Sequence, residues 1–123
     1  MTTRRVVAVV PDLFFATRIS ATAREVGVAL EILAPDAALA AIRNAPPSLV
    51  LLDLHAPGDP LALVRALRAG PETRTVPVLG FYAHVDQALR QAALEAGVDQ
   101  ALPRSAFTHM LPALLRGEKT PPH

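Results

Sequence analysis

The sequence predicts an α/β fold, in which a doubly wound parallel sheet of five strands is covered by helices on both faces. Three observations predict it. Short apolar runs alternate five times with helical patterns. The first run, residues 6–10, is apolar at every position, which is typical of a strand buried on both faces of a parallel sheet. With 123 residues of which 51% are hydrophobic, the chain can bury one core but is short for two domains.

The strands are predicted at residues 6–10, 28–33, 49–53, 76–81 and 98–102. The first helix is predicted over Leu13–Val26 because Gly27 offers a C-cap and the apolar residues recur at helical spacing: Phe15, Ile19, Ala23 and Val26. Since the crossovers between parallel strands are right-handed, the helices must pack against both faces of the sheet.

The other four helices have matching start and stop signals. The second opens at Pro35 and is stopped by Pro46, and the third runs from about Leu61 to Gly70. The fourth ends at Gly97. The last helix carries more apolar residues than one buried face needs: Phe107, Met110, Leu111, Leu114 and Leu115.

Composition and charge indicate the domain bounds, the kind of partner and the location of the protein. We predict one domain over residues 1–116 and a disordered tail over 117–123, because the tail has no apolar side chain to bury. Twelve Lys and Arg against eleven Asp and Glu are scattered along the chain, which disfavours nucleic acid as a partner. The absence of cysteine and of a long apolar segment predicts a cytoplasmic protein without a membrane span.

Two carboxylates follow strands of the predicted sheet. Asp53 closes the third strand and Asp12 follows the first. In open parallel sheets, ligands bind in the crevice outside the carboxyl ends of the strands, so both are candidate site residues. Each also has a simpler reading, Asp53 as a loop cap and Asp12 as the N-cap of the first helix. For Asp12 the two roles are compatible.

Several landmarks resemble the CheY-like receiver domains of two-component signalling over about residues 5–115. They are Asp53 with Pro57 four residues later, Ala96 with Gly97 before the fifth strand, and the segment 76–79 leading into the fourth. The resemblance implies a flavodoxin-like fold with strand order 2-1-3-4-5 and Asp53 as the phosphoacceptor. It also implies a histidine kinase or output protein as partner, and a signalling rather than an enzymatic role.

The sequence departs from the receiver pattern at three landmarks. Receivers carry an acidic pair after the first strand, where this chain has Pro11 and Asp12. They carry Thr or Ser after the fourth strand, where Tyr82 stands, and Lys-Pro after the fifth, where Arg104 and Ser105 stand. The phenol of Tyr82 would overshoot or plug the pocket, because its hydroxyl lies farther from the backbone.

These departures affect the residues that bind Mg²⁺ in receivers and those that respond to phosphorylation. In receivers the acidic pair and the phosphoacceptor hold Mg²⁺; here Asp12, Asp53 and the backbone carbonyl of His55 remain, so Mg²⁺ would bind weakly or not at all. Arg104 keeps the positive charge of the receiver lysine, but its planar guanidinium differs in shape from an ammonium group. We expect it to form a bidentate ion pair with Asp53. Two simpler readings stay open, Tyr82 as a half-buried aromatic and Arg104 as a surface charge.

The resulting hypothesis is a pseudo-receiver, a stand-alone interaction module in which phosphorylation of Asp53 is weak or absent. The alternative is a working Mg²⁺-dependent phosphoacceptor. Residues 53–58 also fit Asp-x-His-x-x-Gly, which resembles a cobalamin-ligating motif, but here it follows the third strand and no Gly-Gly occurs downstream. The chain has no Gly-rich phosphate loop after its first strand and no G-x-S-x-G elbow, so we expect no conventional enzyme.

Two surfaces are predicted to contact partners. Leu13, Phe14 and Phe15 form a run that one core face cannot bury completely, so at least one should be exposed beside the acidic crevice. The apolar excess of the last helix, together with the resemblance, leads us to expect a homodimer.

Overall fold

A computed structural model describes residues 4–83 and 86–118. Strands and helices alternate along the chain, and their bounds are β1 Arg5–Val9, α1 Leu13–Val26, β2 Ala29–Ile32, α2 Pro35–Asn44, β3 Leu49–Asp53, α3 Pro60–Ala69, β4 Val78–Tyr82, α4 Gln87–Ala96, β5 Gln100–Pro103 and α5 Arg104–Arg116. All neighbouring strands are parallel, in the order β2-β1-β3-β4-β5. The predicted fold class and strand order are confirmed.

The sheet separates two buried clusters because successive side chains of a strand point to opposite faces. In β1, Val6 and Ala8 belong to the cluster under α1 and α5, whereas Val7 and Val9 belong to the cluster under α2, α3 and α4. All four are fully buried or nearly so. Burial on both faces explains why the run is apolar at every position.

The apolar excess of α5 is used inside the protein. Four residues of this helix are buried against the sheet and α1: Phe107, Leu111, Leu114 and Leu115. Met110 is partly buried and packs against the same cluster. The helix therefore has a smaller free apolar surface than its sequence suggests, and the homodimer stays a prediction.

Three strands, β2, β4 and β5, are shorter than predicted, and β4 and β5 each end one residue later. The first strand, β1, has the predicted length but lies one residue earlier. Val28 and Val98 were expected to open β2 and β5, but each donates its N–H to the end of the preceding helix, to Ala23 O and Ala93 O. Val76 was expected to open β4, but its N–H closes a turn on Thr73 O. In each case a local backbone hydrogen bond takes a donor that the sheet would need.

The last helix ends at Arg116, where Gly117 forms a left-handed cap with φ 78°. Residues 119–123 of the predicted tail lie outside the described residues, and the domain bounds stay a prediction.

Candidate functional site

The candidate site lies at the carboxyl edge of the sheet. Asp12 follows β1, Asp53 ends β3, Tyr82 ends β4 and Arg104 follows β5. Because parallel strands end at the same edge, the fold brings all four chain segments to one side of the molecule. Their side chains do not all converge, because Arg104 turns to Asp12, whereas Asp53 contacts the following loop and Tyr82 enters the core.

Asp12 is the N-cap of α1. Its Oδ1 accepts hydrogen bonds from the backbone N–H groups of Phe14, at 3.0 Å, and Phe15, at 3.2 Å. Its Oδ2 lies 3.6 Å from a terminal guanidinium nitrogen of Arg104. The capping role that the sequence suggested for Asp12 is therefore confirmed, and both oxygens of its carboxylate face protein groups.

Asp53 is half-buried at the end of β3. Its Oδ1 accepts a hydrogen bond of 2.8 Å from the N–H of His55, which orders the loop that follows. Asp53 therefore caps the loop after β3, which was the simpler interpretation of the sequence. Within the described part of the chain, Asp53 forms no ion pair and its Oδ2 accepts no hydrogen bond.

Arg104 points toward the α1 side of the edge. Its guanidinium carbon lies 4.2 Å from the centroid of the Phe15 ring and 6.0 Å from that of Phe81, which are distances typical of cation–π contacts. The expected pair with Asp53 is not formed; the ion pair found is with Asp12. The reason is packing, because the stacked ring of Phe15 holds the guanidinium beside the start of α1.

One guanidinium nitrogen of Arg104 makes no hydrogen bond to a described residue. This nitrogen, Nε, is buried. The side chain as a whole is 38% exposed, and it borders a cleft of about 690 Å³ lined also by Arg18, Ser105 and Thr108. Arg104 is therefore more constrained than a solvated surface charge, which was the simpler reading of the sequence.

Tyr82 is 5% exposed and belongs to the buried cluster under α2, α3 and α4. It lies opposite Pro103 in the pairing of β4 with β5. Its ring is therefore part of the core, as the simpler sequence reading held, with more burial than that reading assumed.

Sequence reasoning missed the role of Phe15. The residue was assigned to the core face of α1, which is correct, since it is 7% exposed and its ring lies 5.0 Å from Phe81 and 5.7 Å from Phe107. It is also the surface on which Arg104 stacks. The signal available was its place three residues after Asp12, one helical turn away.

The predicted exposure at the start of α1 is confirmed. Phe15 is buried, whereas Leu13 is 81% and Phe14 is 92% exposed. Both lie next to Asp12, at the same edge of the sheet as the site.

Solved structures resemble this architecture closely. CheY4 of Vibrio cholerae superposes with a TM-score of 0.83 at 21% identity, over 94% of this chain and 98% of its own. The receiver domain of NarL from Mycobacterium tuberculosis gives a TM-score of 0.80 at 26% identity, over 95% and 96%. The chain has the fold of the CheY-like receiver domains.

A third receiver, from the sensor histidine kinase PA1611 of Pseudomonas aeruginosa, gives a TM-score of 0.79 at 22% identity, over 95% of this chain and all of its own. That structure contains a magnesium ion coordinated in its active-site cleft. No family model and no curated protein matches the sequence. The receiver fold is thus evident in the backbone, while the sequence is at most 26% identical to those of these three structures.

Proposed function

We propose that this chain is a receiver-like signalling domain in which phosphoryl transfer to Asp53 is weak or absent, and that it works as a protein-interaction module. The observation that carries the proposal is the state of Asp12. One carboxylate oxygen caps α1 and the other faces the guanidinium of Arg104. The one acid left at the position of the receiver acidic pair is therefore engaged in structure.

The remaining groups do not fit a magnesium site well. Mg²⁺ prefers octahedral oxygen coordination and is usually held by one or two carboxylates, with water and substrate phosphate. Here Pro11 offers no side-chain oxygen and Asp12 is occupied, which leaves Asp53 and the carbonyl of His55. In the described residues, no three His, Cys, Asp or Glu side chains gather where they could hold a metal ion.

The charge of Arg104 supports the same proposal. A guanidinium beside Asp12 supplies a positive charge where receivers would gather a cation, and it repels an incoming Mg²⁺. The ring of Tyr82 is packed in the core, so this position offers no small hydroxyl to contact a phosphoryl oxygen. We therefore assign Asp53, Arg104 and Tyr82 to a receiver-like site that has lost most of its switching chemistry.

The partners we propose are signalling proteins, either a histidine kinase or an output protein, and we propose no nucleic acid contact and no enzymatic turnover. A cytoplasmic location fits this role. In the part of the chain that the structure describes, no helix is long and apolar enough to cross a membrane.

Intact mass spectrometry after incubation with Mg²⁺ and acetyl phosphate tests the proposal. We expect no stable adduct of about 80 Da, the mass of one phosphoryl group, on the folded protein. A receiver of known activity, treated in parallel, shows that the reagents work.

The alternative function is a working phosphoacceptor, and one observation favours it. Asp53 is part-exposed at the strand end and keeps one oxygen free of described contacts. An adduct that disappears in Asp53→Asn would establish this alternative and overturn the proposal. An adduct that persists in Asp53→Asn would indicate that another residue is modified in that variant.

A further inference from the structure

Among the described residues, nothing pairs with the outer edge of β2. The strand order places β2 at one edge of the sheet, where β1 is its partner in this part of the chain. The N–H of Leu33 donates to Ala8 O at 2.9 Å, so the backbone groups of residue 33 face β1. Since backbone direction alternates along a strand, the N–H and C=O groups of Leu30 and Ile32 point away from the sheet.

A groove runs beside this edge, between β2 and α1. It consists of two adjoining cavities of about 430 and 350 Å³, and both are lined by Ser20 and Arg24. The wall formed by α1 carries small side chains, among them Ala16, Thr17 and Ala21. Small residues on the helix leave room for side chains that come from outside. We call this feature the α1–β2 groove.

Two exposed apolar side chains line one end of the α1–β2 groove. Among the described residues, the exposed large apolar side chains are Leu13, Phe14 and Ile32, at 81%, 92% and 40%. Leu13 and Ile32 line the same cavity, although they belong to different elements. Exposed apolar surface that converges on a groove is typical of an interaction site.

Arg24 places a positive charge beside the α1–β2 groove. It is exposed in the last turn of α1, borders both cavities, and forms no ion pair with any described residue. A carboxylate in the groove would complement this charge without displacing an existing partner.

We propose that the α1–β2 groove binds an extended segment of a partner protein, which adds as a strand to the outer edge of β2. Backbone hydrogen bonds to Leu30 and Ile32 would give affinity, and side chains in the groove would give specificity. The segment carries apolar side chains for the end formed by Leu13 and Ile32, and an Asp or Glu for Arg24.

A second copy of this chain fits the groove less well. In a parallel pairing Glu31 of the second copy would face the groove, but that carboxylate already pairs with its own Arg5 at 2.8 Å. If β2 of a second copy instead added antiparallel to this edge, the β2 side chains on the groove side would be Leu30 and Ile32, because Glu31 points to the other face. Such a pairing brings no β2 carboxylate to Arg24. The charge thus favours a different polypeptide as the occupant.

A phage-displayed library of random peptides, each about nine residues long, provides the probe, since that length exceeds a typical strand. The library is selected on the full chain alone, so that the later comparison with Ile32→Asp is independent of the selection. We expect enriched sequences in which every second residue is apolar, with Asp or Glu at one of those positions. A synthetic peptide from the selection should bind about tenfold more weakly to Ile32→Asp and about threefold more weakly to Arg24→Gln.

Two matched variants and two modified peptides sharpen the test. Phe14→Asp changes an exposed apolar residue that lines neither cavity, and Arg43→Gln removes a cation from the last turn of α2; neither should weaken binding. N-methylation of the peptide amides that face β2 should abolish binding. Replacing the peptide carboxylate by its amide should weaken binding to the unchanged chain and have no effect on Arg24→Gln.

The proposal is overturned if no sequence is enriched, if enriched peptides bind Ile32→Asp equally well, or if N-methylation is tolerated. It is also overturned if light scattering shows a dimer that Ile32→Asp dissociates, because the occupant is then a second copy. Binding should be unchanged in Asp53→Asn, which separates this inference from the fate of the phosphorylation proposal.

Discussion

Replacing Arg68 with alanine is expected to lower the free energy of unfolding by about 3 kcal/mol, because one side chain makes four hydrogen bonds that join separate parts of the fold. From α3, its Nε donates to Gly97 O at 3.0 Å, and one terminal nitrogen donates to Arg74 O at 3.0 Å and Val76 O at 2.7 Å. The other terminal nitrogen donates to the Asp99 carboxylate at 2.8 Å. Alanine would leave all four acceptors without this donor.

The Arg68 contacts also reach the sheet indirectly. The same oxygen of Asp99 accepts the backbone N–H of Val78, at 2.7 Å, where β4 begins. Arg68 is thus linked to the start of a central strand and to the loop before β5. The side chain is only 22% exposed, so these bonds are less weakened by water than those of a surface pair.

Thermal or urea unfolding followed by circular dichroism measures the effect, with a melting temperature lower by roughly 10 °C for Arg68→Ala. Arg65→Ala is the matched control, because Arg65 is exposed on the same helix and its loss should change stability by no more than about 0.5 kcal/mol. Arg68→Lys should recover less than half of the loss, since an ammonium cannot reproduce the planar fork. Equal stability of Arg68→Ala and Arg65→Ala would contradict the assignment of Arg68 as a structural hub.

The sequence was sufficient for the fold because hydrophobic periodicity and capping residues agree along the chain. The bounds of α1 and β3 were predicted correctly, since Asp12, Gly27 and Asp53 mark their ends in sequence. Strand starts were less predictable. An apolar residue after a helix-ending glycine, such as Val28 or Val98, can extend a strand or close the helix cap, and only the three-dimensional path decides.

The site could be predicted in position but not in pairing. Strand order alone brings Asp12, Asp53 and Arg104 to one edge of the sheet. Whether Arg104 turns to one carboxylate or the other depends on a stacking surface, and the position of Phe15 against the sheet follows from core packing rather than from a local motif. Arg68 was missed for the same reason, since its partners lie 6 to 31 residues away in sequence.

The variant Pro11→Asp, Tyr82→Thr, Arg104→Lys is expected to gain Mg²⁺-dependent phosphorylation of Asp53. Pro11 is exposed, so an aspartate there can reach solvent and a cation without entering the core. Lysine cannot keep the planar stacking contact of Arg104 and should release Asp12. Mass spectrometry after acetyl phosphate treatment should show an adduct of about 80 Da that requires Mg²⁺.

Two controls separate the parts of this prediction. Adding Asp53→Asn to the triple variant should remove the adduct. In the triple variant, Tyr82→Thr leaves a cavity in the core, which we expect to lower the free energy of unfolding by about 3 kcal/mol. The double variant Pro11→Asp, Arg104→Lys keeps Tyr82 and avoids this cavity. Isothermal titration calorimetry should show that Mg²⁺ binds the double variant more tightly than the unchanged chain.

The pattern of outcomes tells which of the three positions limits phosphorylation of Asp53. If the double variant binds Mg²⁺ and is also labelled, the limit lies in the acidic pair and the guanidinium, and the ring of Tyr82 is neutral. If only the triple variant is labelled, the small hydroxyl is the missing part. A folded triple variant that binds Mg²⁺ and stays unlabelled would contradict the prediction, because charge and hydroxyl would then both be restored while Asp53 remains unreactive.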